Sequence, residues 1–225
     1  MKLLILAMCF LLTLTKGSNI AHAAITTASN PIWQEKLNEY SANNRVKQVI
    51  FVQYQGGSDA LVRLYEKDSA RSWQLTLECD GYVGKAGLGK TVEGDMKTPV
   101  GDFGIFTAGG IEPNPGTKAS YLLFDEHVFC ADGQFYNKLI DDRKIPHELL
   151  KTLNLDPMND GAPQFNYGLF IDYNKECIRG RGSYIFLHCT GDADYTHGCV
   201  AVSEADMVNI MRRVDNNVRI CIYPM

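Results

Sequence analysis

A cysteine and two histidines lie close together in the run GSYIFLHCTGDADYTHGCVAVSEADM, which ends at Met207. Cys199 follows His197 and Gly198, and His188 precedes them across a short polar stretch. A thiol is a strong nucleophile only as a thiolate, and a nearby imidazole can take its proton. The residue types therefore admit nucleophilic catalysis by Cys199, with His188 and His197 interchangeable as its base on chemistry alone. Gly198 allows a tight backbone approach beside the thiol. Backbone amides around such a bend, those of Gly198 and Cys199, can face a developing oxyanion. Losing one donor of that kind costs about 100- to 1000-fold in rate.

The elements that must position these residues are readable from periodicity. Tyr184, Phe186 and His188 alternate with Ile185, Leu187 and Cys189, which predicts a buried strand from Tyr184 to Cys189 with His188 near its tip. After Cys199, Ser203 is an N-cap, Glu204 and Asp206 occupy the first turn, and Met207, Ile210, Met211 and Val214 recur at helical spacing. Upstream, Pro31 to Tyr40 predicts a short helix. Val46 to Tyr54, Ala60 to Tyr65 and the alternating Trp73, Leu75, Leu77 and Cys79 predict three strands, the first two joined by a turn at Gly56-Gly57. Residues 81 to 117, rich in Gly and Pro, read as loop and short strand. A short helix is expected from Ile145 to Leu153. Strands are expected from Tyr167 to Tyr173 and from Val218 to Tyr223. Many short strands with few helices predict a mainly β fold, a sandwich or barrel.

Gly84 to Thr91, GKAGLGKT, is a literal match to the phosphate-binding loop pattern. That loop needs a helix beginning at the lysine, and Gly94, Pro99 and Gly101 follow too soon for one. Without alternating strand–helix units the match is refused, and a nucleotide is not expected as a ligand.

With 225 residues, 45% hydrophobic and 21% charged, the chain suits one domain with a substantial core. A formal charge of -4 without a basic cluster argues against nucleic acid as a partner. Lys2, the apolar run from Leu3 to Leu14 and the Ala21-His22-Ala23 site form a signal-peptide pattern, too short an apolar run to span a bilayer. The expected organisation is a signal peptide over 1–23, a linker and short helix over 24–45, and a catalytic domain over 46–225. The expected location is the periplasm or cell envelope. The cysteines have no regular spacing, so no disulfide framework is read from them. Neither CxxC nor HExxH occurs, so no metal or other cofactor is expected.

The segment THGCVAV after GSYIFLH resembles the catalytic signature of the L,D-transpeptidases, bacterial cell-wall enzymes. GLGKTVEGDMKTPVGDF, with Thr98-Pro99-Val100-Gly101-Asp102-Phe103, and Tyr136-Asn137 resemble further elements of that family. The resemblance covers roughly Val46 to Tyr223 and implies the family's mainly β fold. It implies that Cys199 attacks an L,D peptide bond in a peptidoglycan stem, releasing a terminal D-alanine and leaving a thioester. It ranks the histidines: His188 resembles the general base, its ring oriented by the carbonyl of Cys189, and His197 resembles the supporting residue beside the nucleophile. Tyr136 and Asn137 would shape the substrate pocket, and Arg181 or Lys85 would meet a substrate carboxylate. The partner is then a peptidoglycan stem peptide, bound by a monomer. Two departures stand out: Ala201 occupies a position where the family commonly has arginine, and the loop from His188 to Cys199 is short. Hydrolytic trimming at the same site, and a non-catalytic envelope-binding module, are the competing expectations.

Overall fold

A computed structural model describes residues 31–224. The signal-peptide expectation for 1–23 lies outside the described residues. The chain begins with helix α1 (Pro31–Ser41), then a meander of three long strands, β1 (Gln48–Gly56), β2 (Asp59–Lys67) and β3 (Trp73–Tyr82). Gly56 and Gly57 both adopt positive φ at the first turn, as a tight hairpin requires. Short strands follow: β4 (Gly101–Phe103), β5 (Ile105–Gly110), β6 (Tyr121–Leu123), β7 (Val128–Ala131) and β8 (Leu139–Asp141). After helix α2 (His147–Leu150) come β9 (Leu155–Pro157), β10 (Gly168–Ile171), β11 (Phe186–Cys189) and β12 (Val200–Val202). Helix α3 (Glu204–Met211) and β13 (Arg219–Tyr223) complete the described fold.

Ten strands form one mixed sheet in the order β4-β13-β1-β2-β3-β12-β11-β10-β5-β6, and β8-β7-β9 form a small second sheet. The architecture is therefore mainly β with a few short helices, as expected from the sequence. The large sheet curls around one core. Ile50 and Val52 of β1, Val62 and Leu64 of β2, Leu169 and Ile171 of β10, Leu187 of β11 and Ile220 of β13 all meet there. Met207, Ile210 and Met211 of α3 close that core, and the Ser203 hydroxyl accepts from the Asp206 N–H at 3.1 Å as the N-cap. The alternate residues of β1, Val49 and Phe51, face outward and are covered by α1, where Trp33 stacks on Phe51 at 4.9 Å. A third apolar cluster joins Phe170 and Phe186 of the large sheet to Val128 of the small sheet and Met158 beside it. The small sheet is thus a cap over the outer face of β10 and β11.

Three expectations are corrected in detail. The helix expected over 145–153 contracts to α2. Beyond it the Thr152 hydroxyl donates to the Leu149 carbonyl, an alternative bond that competes with helix continuation. The strand expected from Tyr184 to Cys189 begins at Phe186 because Tyr184 takes φ +52°, its N–H held by the Asn137 Oδ1 at 2.8 Å. The helix after Ser203 ends at Met211, although Val214 remains in the core.

Candidate active site

β11 and β12 run parallel, with Leu187 opposite Val200 and His188 opposite Ala201. Paired residues of a sheet share a face, so His188 and Ala201 point one way and Leu187 and Val200 the other. Leu187, Cys189, Val200 and Val202 enter the main core. Phe186 and Cys199 enter the cluster under the cap. His188 and Cys199 therefore lie on the capped face, on neighbouring strand paths.

The Cys199 backbone is clamped. Its carbonyl accepts from the Thr196 hydroxyl at 2.7 Å and the Thr98 hydroxyl at 3.0 Å. Thr196 Oγ1 in turn accepts from the Gly198 N–H at 3.0 Å, and Thr98 Oγ1 from the Gly84 N–H at 2.8 Å. The Gly198 amide is thereby engaged within its own loop, which leaves the Cys199 amide as that bend's oxyanion candidate. Gly198 has φ +144°, and an added β-carbon would stand 2.9 Å from the Lys97 carbonyl, so the bend requires glycine.

Cys199 is half-buried as a residue, with its thiol turned inward. Its sulfur lies 3.4 Å from the Phe186 N–H, which donates to it, and 3.5 Å from the Tyr184 carbonyl. Burial pushes the thiol up to about 11, against the Phe186 N–H and the Lys90 charge, which lower it. His188 is 7% exposed and its Nδ1 lies 2.7 Å from the Cys189 carbonyl. A carbonyl only accepts, so Nδ1 carries the proton and Nε2 keeps a free lone pair. Burial lowers the His188 pKa to about 4, although the carbonyl bond opposes that shift. The resting pair is thus a neutral thiol and a neutral imidazole fixed in the tautomer of a base. His197 is exposed, with its ring parallel to that of Tyr195 at 6.3 Å.

A cavity of about 600 Å³ opens between the cap and β11. Tyr184 and Phe186, which touch the Cys199 sulfur through their backbones, line it together with Tyr136, Ser183, Glu93 and Phe165. Asp132, Asp156 and Asp160 also face it, and among the described residues no lysine or arginine lines it. Tyr136 donates to Glu93, which also accepts from Ser183 at 2.8 Å. Asn137 is buried, and its amide serves the backbone: Nδ2 donates to the carbonyls of Tyr173 and Asn174 while Oδ1 holds Tyr184. Asn137 therefore shapes the start of the catalytic strand from behind. Arg181 is exposed and faces a different depression, beside Tyr173 and Asp172, so the structure does not bring it to the cavity. Lys85 sits over the Tyr195 ring at 4.8 Å.

The family model for the L,D-transpeptidase catalytic domain, YkuD, matches residues 47–222. The chain belongs to this family. A search of curated proteins finds none that matches it. Within this L,D-transpeptidase domain, Ala201 is buried opposite His188, so the site does without an arginine at that position. All six described cysteines are free.

Residue-level reasoning from sequence missed Thr98, Thr196, Lys90 and Asp95. The refused phosphate loop contains one of them. No helix starts at Lys90; its side chain is 2% exposed and pairs with Asp95 at 2.8 Å. The segment instead folds back on the nucleophile loop, with Gly84 bridging to Thr196 and Leu88 to Thr98.

Proposed function

We propose that the protein is an exported cysteine L,D-transpeptidase that cross-links peptidoglycan stem peptides through a thioester on Cys199. Family membership carries L,D-transpeptidase-type chemistry on peptidoglycan. The observation that carries the residue assignment is the His188 ring, held by its Nδ1–H so that Nε2 is the basic atom on the face Cys199 shares. In the first half-reaction the thiol proton passes to Nε2 as sulfur bonds to the carbonyl carbon of the L-centre residue. The tetrahedral intermediate then collapses, the C–N bond breaks, and the proton on His188 leaves with the amine of D-alanine. In the second half-reaction an acceptor amine attacks the thioester, His188 takes its proton, and sulfur departs as the thiol. A covalent intermediate divides one difficult step into two easier ones.

The electrostatics indicate when the proton moves. Burial disfavours both the thiolate and the imidazolium, so forming the ion pair ahead of attack carries an energetic cost. Proton transfer coupled to attack avoids much of it.

The cavity wall supports a stem-peptide substrate. Glu93, Asp132, Asp156 and Asp160 face it without a basic side chain, which suits a positively charged amine-bearing stem. Incubation with purified tetrapeptide muropeptides tests this reading. Dimers that disappear in Cys199→Ala support it, free tripeptides alone indicate an L,D-carboxypeptidase, and binding without turnover indicates a non-catalytic module.

A further inference from the structure

Lys90 is the buried charge that the mechanism above leaves unused. Its ammonium lies 3.4 Å from the point where a β-carbon on Gly198 would stand, directly behind the bend that carries the nucleophile. Its stem occupies the space beside Gly182, where an added β-carbon would collide with Lys90 Cε. Gly182 has φ +107°, and Gly198 φ +144°. The two glycines flanking the catalytic strand and the nucleophile thus form a slot that this lysine fills.

The lysine is also held from the far side. Asp95 accepts from Lys90 Nζ at 2.8 Å and from the backbone N–H groups of Thr91 at 2.8 Å, Val92 at 3.2 Å and Lys97 at 3.1 Å. Burial would raise the Asp95 carboxyl, but Lys90 and those three amides hold it well below the usual carboxylate range. The carboxylate is therefore ionised and rigid. An ammonium has three donors, and Asp95 takes the one hydrogen bond that the Lys90 ammonium makes among the described residues. Burying an ammonium with a single partner is expensive, which marks the position as a candidate for a functional role. The lysine charge acts on the Cys199 thiol in the direction that favours the thiolate.

We propose that Lys90 is an electrostatic positioning residue for Cys199, an Asp95-anchored cation behind the Gly198 bend that stabilises negative charge on the sulfur. Its part in turnover rests on the Cys199 mechanism above, whereas its effect on the thiol can be read without any peptidoglycan.

The test is alkylation of the full chain by iodoacetamide from pH 7 to 10, followed at Cys199 by peptide mass spectrometry. Cys221, fully buried in the core, serves as the internal report of unfolding. In Lys90→Met the Cys199 rate should fall at least fivefold at pH 9, with the profile displaced to higher pH and Cys221 still protected. In Asp95→Asn, which leaves the ammonium without its counter-charge, Cys199 should alkylate faster than wild type while Cys221 stays protected. A purely structural role for Lys90 predicts the opposite sign in Lys90→Met, because loosening the loop exposes the thiol. Unchanged or faster alkylation of folded Lys90→Met overturns the proposal. If Lys90→Met does not fold, unchanged or slower alkylation of folded Asp95→Asn overturns it. An alkylation shift without muropeptide turnover contradicts the transpeptidase reading and leaves the role of Lys90 standing.

Discussion

Between pH 5 and 10 Cys199 and His188, the proposed nucleophile and base, both rest uncharged, because desolvation outweighs every favourable contact at each. The acylation rate should therefore show an acid limb near pH 4, where His188 gains its proton and ceases to accept one, and a plateau through neutrality. His188→Gln should lower acylation by 100- to 10000-fold, the range of general-base catalysis, and abolish the acid limb. His197→Ala should change it by less than about fivefold, since that ring is exposed and stacks on Tyr195. A stopped assay of muropeptide consumption across pH reads both. Equal losses in the two variants would show that the histidines are ranked wrongly. The ranking itself came to the sequence only through resemblance. Residue types and spacing left the two histidines equivalent, because tautomer and burial depend on the folded position of the Cys189 carbonyl and of the Phe165 ring, which sits in the turn before β10.

The nucleophile is set by loops more than by strands. Val200–Val202 is a three-residue strand, and the chain just before it is fixed by two threonine hydroxyls on one carbonyl. Thr196→Val removes a donor to Cys199 and the acceptor of the Gly198 N–H. It should cost about 1–3 kcal/mol in unfolding free energy and at least tenfold in acylation, with Cys199 still in place. Urea unfolding and initial rates measure the two together; a full-rate Thr196→Val variant would remove the clamp from the account. The longer elements were legible beforehand: β1, β2, β3 and α3 lie where alternation and helical spacing place them, and α1 where Pro31 opens it. The cap was not. Its strands have three or four residues each, too few for a period, and they are defined by contacts with residues distant in sequence such as Tyr184, whose hydroxyl reaches Ala131. Lys90 was equally hidden, because its partner Asp95 and its neighbours Gly182 and Gly198 meet only once the loop has folded back.

Across the whole molecule, the capped face of the sheet buries a histidine that an unfolded chain would titrate near 6.5. The folded state binds that proton only near pH 4, so between pH 6.5 and 4 the unfolded state holds more protons and stability falls as pH falls. The contribution of His188 is fully present above 6.5 and amounts to roughly 3 kcal/mol lost by pH 4. Thermal melts from pH 7 to 4 should show this decline, and His188→Gln should flatten it. A decline of the same size in that variant would assign acid sensitivity to other groups. The fold, the cap and the clamped loop all converge on one atom, the sulfur of Cys199. Its role is tested most directly by intact-protein mass after brief incubation with a tetrapeptide muropeptide and acid quench. The account predicts a mass increase equal to the muropeptide less one D-alanine, located on Cys199 and absent from Cys199→Ala. An adduct that survives that substitution, or turnover without a covalent species at Cys199, would contradict it.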